Sequence, residues 1–175
     1  MAAFERLGAA TLSTDAVVHE LLGEPELRDR LVERWGDDVA PDGTVDRAAI
    51  ARIVFDRPED REWLQGMLWP RVGARVVEWR AQLDGREVPP RAAVVEVPLL
   101  FEADMEGVFD KTVAVIAEEA LRAERAGARG HEHVEGRTSA QLSQDEKSQR
   151  ADFTVRNDGT LPELEEKLSK LLDSL

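Results

Sequence analysis

Apolar residues recur at every third or fourth position through most of the chain, and a few short apolar runs interrupt that rhythm. The densest run is residues 92–102, A-A-V-V-E-V-P-L-L-F-E. Val94, Val95 and Val97 are β-branched and Pro98 stops the run, which predicts a short buried strand ending in a tight turn. A strand apolar on both faces belongs to a parallel sheet covered by helices. Ligands of such sheets bind at the carboxyl ends of the strands. Pro98, Leu99, Leu100, Phe101 and Glu102 therefore stand where the mouth of a site would be, although by themselves these residues fit better an apolar turn closing a core strand.

The remaining pattern is mostly helical. Residues 2–7 read as the end of a helix closed by Gly8, too short to be stable alone. A short strand at residues 9–12 leads to Ser13 and Thr14, which offer caps for a helix to Leu22 with Asp15 in its first turn. An acid there is also an ordinary partner of the helix dipole. Pro25 opens a helix with Leu27, Leu31 and Trp35 on one face, stopped by Gly36. Pro41-Asp42-Gly43-Thr44 is a turn, and Asp46 caps a helix carrying Ile50, Ile53, Val54 and Phe55. Pro58 begins the longest stripe: Leu64, Leu68, Val72, Val76, Trp79 and Leu83. Pro70 should kink it, and Trp69 beside it could line a cavity, though a Trp so placed is more often in the core or an interface. A second buried strand is predicted at residues 110–117 and a helix at 118–125. Ser143 with Glu146 makes a capping box, residues 153–155 a brief strand, Asn157-Asp158-Gly159 a turn, and residues 161–175 an amphipathic helix.

Strands alternating with helices imply an α/β fold with a parallel sheet and a helical block inserted after the first strand. A formal net charge of -13 argues against nucleic acid or an anionic membrane as partner, but leaves room for a small anion held by a few arginines. Arg122, Arg125 and Arg129 are where such arginines gather. The chain has no cysteine, which excludes disulfides, thiolate metal sites and thiol catalysis and fits a cytoplasmic protein. His131 and His133 do not share a helix face and lack a third partner, so no metal site is expected. No run is long and apolar enough for a membrane span.

Laid out in order, the chain resembles dephospho-coenzyme A kinase, a P-loop kinase of the nucleoside-monophosphate kinase type. The matching residues are Phe4-x-x-Leu7-Gly8, Thr14-Asp15-Ala16, Asp42-Gly43-Thr44-Val45-Asp46-Arg47, Trp63-Leu64 through Leu68-Trp69-Pro70, and Val97-Pro98-Leu99-Leu100-Phe101-Glu102. Gln141, Lys147, Ala151-Asp152 and Asn157-Asp158-Gly159 complete the set. The resemblance implies one P-loop-type domain, residues 1–175, with a helical CoA-binding insertion at 24–84 and a lid at 122–147. It implies ATP-dependent phosphorylation of the ribose 3′-hydroxyl of dephospho-CoA, the last step of coenzyme A biosynthesis, by a cytoplasmic monomer. Asp15 matches the acid near the acceptor hydroxyl, and Arg122 the lid arginine on the transferring phosphates. Pro98, Leu99, Leu100 and Glu102 would border the acceptor, while Asn157 and Gly159 would lie against the adenine. ATP would come with Mg²⁺, and no residue here matches a dedicated metal ligand.

Ser13 stands where the family commonly has an acid, and Trp69 where His usually precedes Pro70. The pattern is also entered partway down its first helix. The motif G-x-x-x-x-G-K-[ST] does not occur in these 175 residues. The expectation is a chain lacking roughly twenty residues of central first strand and phosphate loop, inactive as it stands and left with unpaired strand edges. Two other readings remain at this level: a non-catalytic relative that binds dephospho-CoA or a partner, and a related small-molecule kinase with another acceptor.

Overall fold

The structure is a computed structural model and describes residues 1–127 and 141–175. These residues fall into two compact units, one made of Met1–Ala10 with Val97–Leu175, the other of Thr11–Glu96.

The contiguous unit is mainly helical. β1 (Ala10–Ser13), which begins at its border, pairs with β2 (Ala93–Glu96). Between them come α2 (Thr14–Leu22), α3 (Pro25–Trp35), α4 (Arg47–Asp56) and α5 (Pro58–Asp84). The i, i+4 stripe of α3 places Leu27 and Leu31 at the centre of the core, both fully buried, among Val17, Leu21, Ile50 and Leu68. Burial of each such leucine contributes about 1.5–3 kcal/mol. Gly36 ends α3 with φ 85°, a conformation that a side chain would strain. Asp46 starts α4 by accepting hydrogen bonds from the Ala48 and Ala49 amides at 2.9 and 3.1 Å. Arg34 ties α3 to α5: its Nε donates to the buried Asp60 at 2.7 Å, and its guanidinium lies 4.6 Å from the centre of the Trp63 ring. Burial alone would raise the Asp60 carboxyl, but Arg34 and Arg57 outweigh it and hold the group below its ordinary range. α5 runs on through Pro70, which brings no N–H for the carbonyl one turn back. Next to it, the Arg71 guanidinium donates to the Met67 carbonyl at 2.9 Å. Trp69, expected in the core or an interface, is half exposed.

The first-named unit, built from two segments, begins with α1 (Ala2–Arg6) and resumes at Val97, continuing through β3 (Val113–Ile116), α6 (Glu119–Gly127), α7 (Gln144–Arg150), β4 (Phe153–Arg156) and α8 (Leu161–Asp173). β3 and β4 are parallel, with Val113 opposite Phe153 and Ile116 opposite Arg156. α8 packs on β4 through its leucine face, and α1 packs on α8. Ala3, Phe4, Leu168, Leu171 and Leu172 are buried, and Arg6 pairs with Glu165. A five-residue helix that could not stand alone is thus held by the last helix of the chain.

The fold is α/β with parallel strands flanked by helices, as the pattern predicts. β3 is shorter than predicted, and β2 and β3 are more open. Ala93 and Glu96 are exposed, Val94 and Val95 are half-buried, and Val115 is 54% exposed. The physical reason is pairing: among the described residues the strands form two pairs, so each strand has one hydrogen-bonded neighbour and one uncovered edge. Among the described residues no helix is long and apolar enough to cross a membrane.

Candidate active site

Asp15 stands in the first turn of α2, immediately after β1, with its side chain exposed. The β1–α2 junction is fixed by its neighbour: Thr14 Oγ1 donates to the Glu96 carbonyl at 2.9 Å. That bond joins the carboxyl end of β1 to the carboxyl end of β2, which is where parallel sheets of this kind present their ligands.

The residues after β2 form a compact turn. The Ala103 amide donates to the Leu99 carbonyl at 3.1 Å and the Met105 amide to the Leu100 carbonyl at 3.0 Å. Pro98 and Leu99 are exposed, Leu100 is half-buried, and Phe101 is buried beneath them. The Glu102 carboxylate turns inward, with its side chain 12% exposed. Its Oε1 accepts from the Leu142 amide at 3.0 Å and lies 2.8 Å from Lys147 Nζ. Burial would raise this carboxyl, but the Lys147 ammonium and the backbone donors outweigh it and hold it below the ordinary carboxylate range.

Arg122 is on α6, half exposed, and pairs with Glu119 one turn back at 2.7 Å. Asn157 follows β4: its amide donates to the Ile116 carbonyl at 2.8 Å, and its carbonyl accepts from Arg125 at 2.7 Å. Of the two arginines on α6, Arg125 thus touches the Asn157–Gly159 turn, and Arg122 bonds within its own helix. Asp158 accepts from the Glu118 amide at 2.7 Å, so the turn is pinned to the end of β3. Gly159 is small for a local reason. A Cβ there would collide with the Glu163 carboxylate, which caps α8 by accepting from the Thr160 amide. Arg129, His131 and His133, and residues 128–140 of the expected lid, lie outside the described residues.

Sequence reasoning gave no role to several residues that build this region. Gln144 clamps the end of β3: it accepts from the Ala117 amide and donates to the Ala117 carbonyl, both at 2.9 Å. Asp152 fixes the start of β3, accepting from the Thr112 amide at 2.8 Å and the Thr112 hydroxyl at 2.9 Å. Lys147 and Asp152 stood among the matching residues without a function, and nothing in the local pattern names their partners. Among the described residues no group of three His, Asp or Glu side chains gathers in one place.

The family model for dephospho-CoA kinase matches residues 1–163. The chain belongs to the dephospho-CoA kinase family. The dephospho-CoA kinase of Symbiobacterium thermophilum is 37% identical over 160 residues, an alignment covering 88% of this chain and 66% of that relative. The dephospho-CoA kinase of Deinococcus radiodurans is 36% identical, covering 96% of this chain and 81% of the relative. Among solved structures, TT1252 of Thermus thermophilus superposes with a TM-score of 0.81 at 31% identity, covering 99% of this chain and 88% of the other. The dephospho-CoA kinase of Campylobacter jejuni, at 23% identity and TM-score 0.68, shares the fold. The helix-flanked parallel strands are thus the fold of this family.

Proposed function

We propose that the protein phosphorylates the ribose 3′-hydroxyl of dephospho-CoA with ATP, the last step in making coenzyme A. The observation that carries this reading is the family match over residues 1–163, with an exposed acid, Asp15, one residue beyond the Thr14–Glu96 bond that joins two strand ends. In this mechanism Asp15 accepts a hydrogen bond from the acceptor hydroxyl and orients it, taking its proton as the new bond from the ribose oxygen to the γ-phosphorus forms and the bond from that phosphorus to the β–γ bridging oxygen breaks, releasing ADP. The exposed Pro98 and Leu99, with Leu100, border the acceptor, and Glu102 supports that border from inside. The fixed positive charge of Arg122, freed from Glu119, stabilises charge developing on the transferring phosphoryl group. The Asn157–Gly159 backbone lies against the adenine. Residues 24–84 serve as the CoA-binding part and 122–147 as a lid that excludes competing water, within one kinase domain. ATP enters as a substrate with its own Mg²⁺. The protein acts as a cytoplasmic monomer on these two small molecules.

The deciding experiment is transfer from ATP to dephospho-CoA, assayed with the gene's full natural product and its Asp15→Asn variant. The expected result is CoA formation by the parent and a loss of about 10²–10⁴-fold in kcat for the variant, with an unchanged thermal midpoint. Phosphorylation of a different alcohol, or an Asp15→Asn variant as active as the parent, overturns the reading.

A further inference from the structure

The turn after β2 is gripped by one face of α7. Lys147 and Arg150 are three residues apart and so project from the same side of that helix. Lys147 Nζ lies 2.8 Å from Glu102 Oε1 and 3.4 Å from the Pro98 carbonyl. It thus reaches both ends of the Pro98–Glu102 turn. Arg150 bonds Asp104 at 2.7 Å and also Glu106, and its guanidinium lies 5.6 Å from the centre of the Phe101 ring. The start of α7 is itself fixed by a capping box, with Ser143 accepting from the Glu146 amide and Glu146 accepting from the Ser143 amide. Glu102 completes the attachment by accepting from the Leu142 amide, just before that cap.

The Glu102 carboxylate faces the protein and not solvent. Oε1 is shared by Leu142 and Lys147, and Oε2 is buried with no hydrogen-bond partner among the described residues. A group so enclosed is poorly placed to meet a substrate, and well placed to hold the turn that does. An ion pair that is mostly enclosed is also costly to break on one side only, because the remaining charge is left without its partner.

We propose that Glu102 and Lys147 form a positioning pair for the acceptor: they do not touch dephospho-CoA, but hold the Pro98–Leu100 turn in the conformation that borders it. The pair acts through the backbone carbonyl of Pro98 and the amide of Leu142. This proposal rests on the kinase reading above.

The test is a double-mutant cycle of Glu102→Gln and Lys147→Met in the gene's full natural product, with Lys147→Arg as the conservative variant. Each single substitution is expected to raise KM for dephospho-CoA about tenfold while KM for ATP stays within about twofold. The double variant is expected to be no worse than the poorer single variant, because the two residues act as one unit. Lys147→Arg is expected to restore KM to within about twofold of the parent. Additive losses in the double variant mean that Glu102 meets the substrate by itself, and equal changes in both KM values mean a general loss of structure; either result overturns the proposal. A second measurement needs no turnover. Amide hydrogen exchange in Lys147→Met is expected to quicken at Ala103 and Met105, which close the turn, and to stay unchanged at Asn157, which bonds Ile116. Unchanged exchange at Ala103 and Met105 overturns the pair. A parent protein that makes no CoA, yet shows the faster exchange in the variant, overturns the kinase reading and with it the pair's proposed role toward dephospho-CoA.

Discussion

At the scale of single residues, the Asp152 carboxylate serves the fold. Hydrogen bonds from the Thr112 amide, the Thr112 hydroxyl and Lys111 bring the Asp152 carboxyl down to about 2. In an unfolded chain an aspartate titrates near about 3.9. The folded state therefore favours the charged form, and the resulting stability is present in full above the unfolded value and is lost as pH falls through about 2. Thermal midpoints of the parent and Asp152→Asn should differ most above about pH 5 and converge on acidification toward pH 2. A constant difference across that range would contradict this account. Gly159 supplies a second residue-scale prediction. Gly159→Ala must displace the Glu163 carboxylate and loosen the start of α8. The expected cost, read from urea unfolding, is about that of losing an N-cap, ~1 kcal/mol. A variant as stable as the parent would mean that the cap readily re-forms around the methyl group.

At the scale of elements, the helices were legible and the strands were only half so. A helix declares itself through residues three and four apart, which explains why the Leu27–Leu31 stripe, the Asp46 cap and the Ser143–Glu146 box could be read before any coordinates. Leu31 is fully buried at the middle of its stripe. Leu31→Ala should therefore cost about 2–5 kcal/mol in denaturant unfolding, the range for a buried leucine whose surroundings collapse only partly. A cost below about 1 kcal/mol would mean that the core closes over the gap. Strand burial, by contrast, depends on neighbours distant in sequence. Val113 and Val115 look alike in the sequence and, two apart, share a face of β3, yet Val113 is half-buried and Val115 exposed. The same limit hid the candidate positioning pair: Lys147 meets Glu102 across a long stretch of chain that no local period spans.

At the scale of the whole molecule, the alternation of strand and helix correctly announced the α/β class, and the quoted residue strings the family. The division of the described residues into units did not follow from that alternation, because the first unit is assembled from two separated segments. The roles of Asp15, Arg122 and the Asn157–Gly159 turn came from resemblance, since an exposed acid at a helix start or a glycine in a turn carries no chemical signature of its own. One contact ties the ends of that first unit together. Arg6 and Glu165 are 159 residues apart in the chain, and the buried face of α1 is completed by α8. On the ribosome, α1 therefore emerges long before its partner exists. Phe4 must wait in water, or in the grip of a chaperone, until α8 has been synthesised. The closure of this unit is a late event of biogenesis, and a chain interrupted before α8 leaves α1 without the helix it packs on.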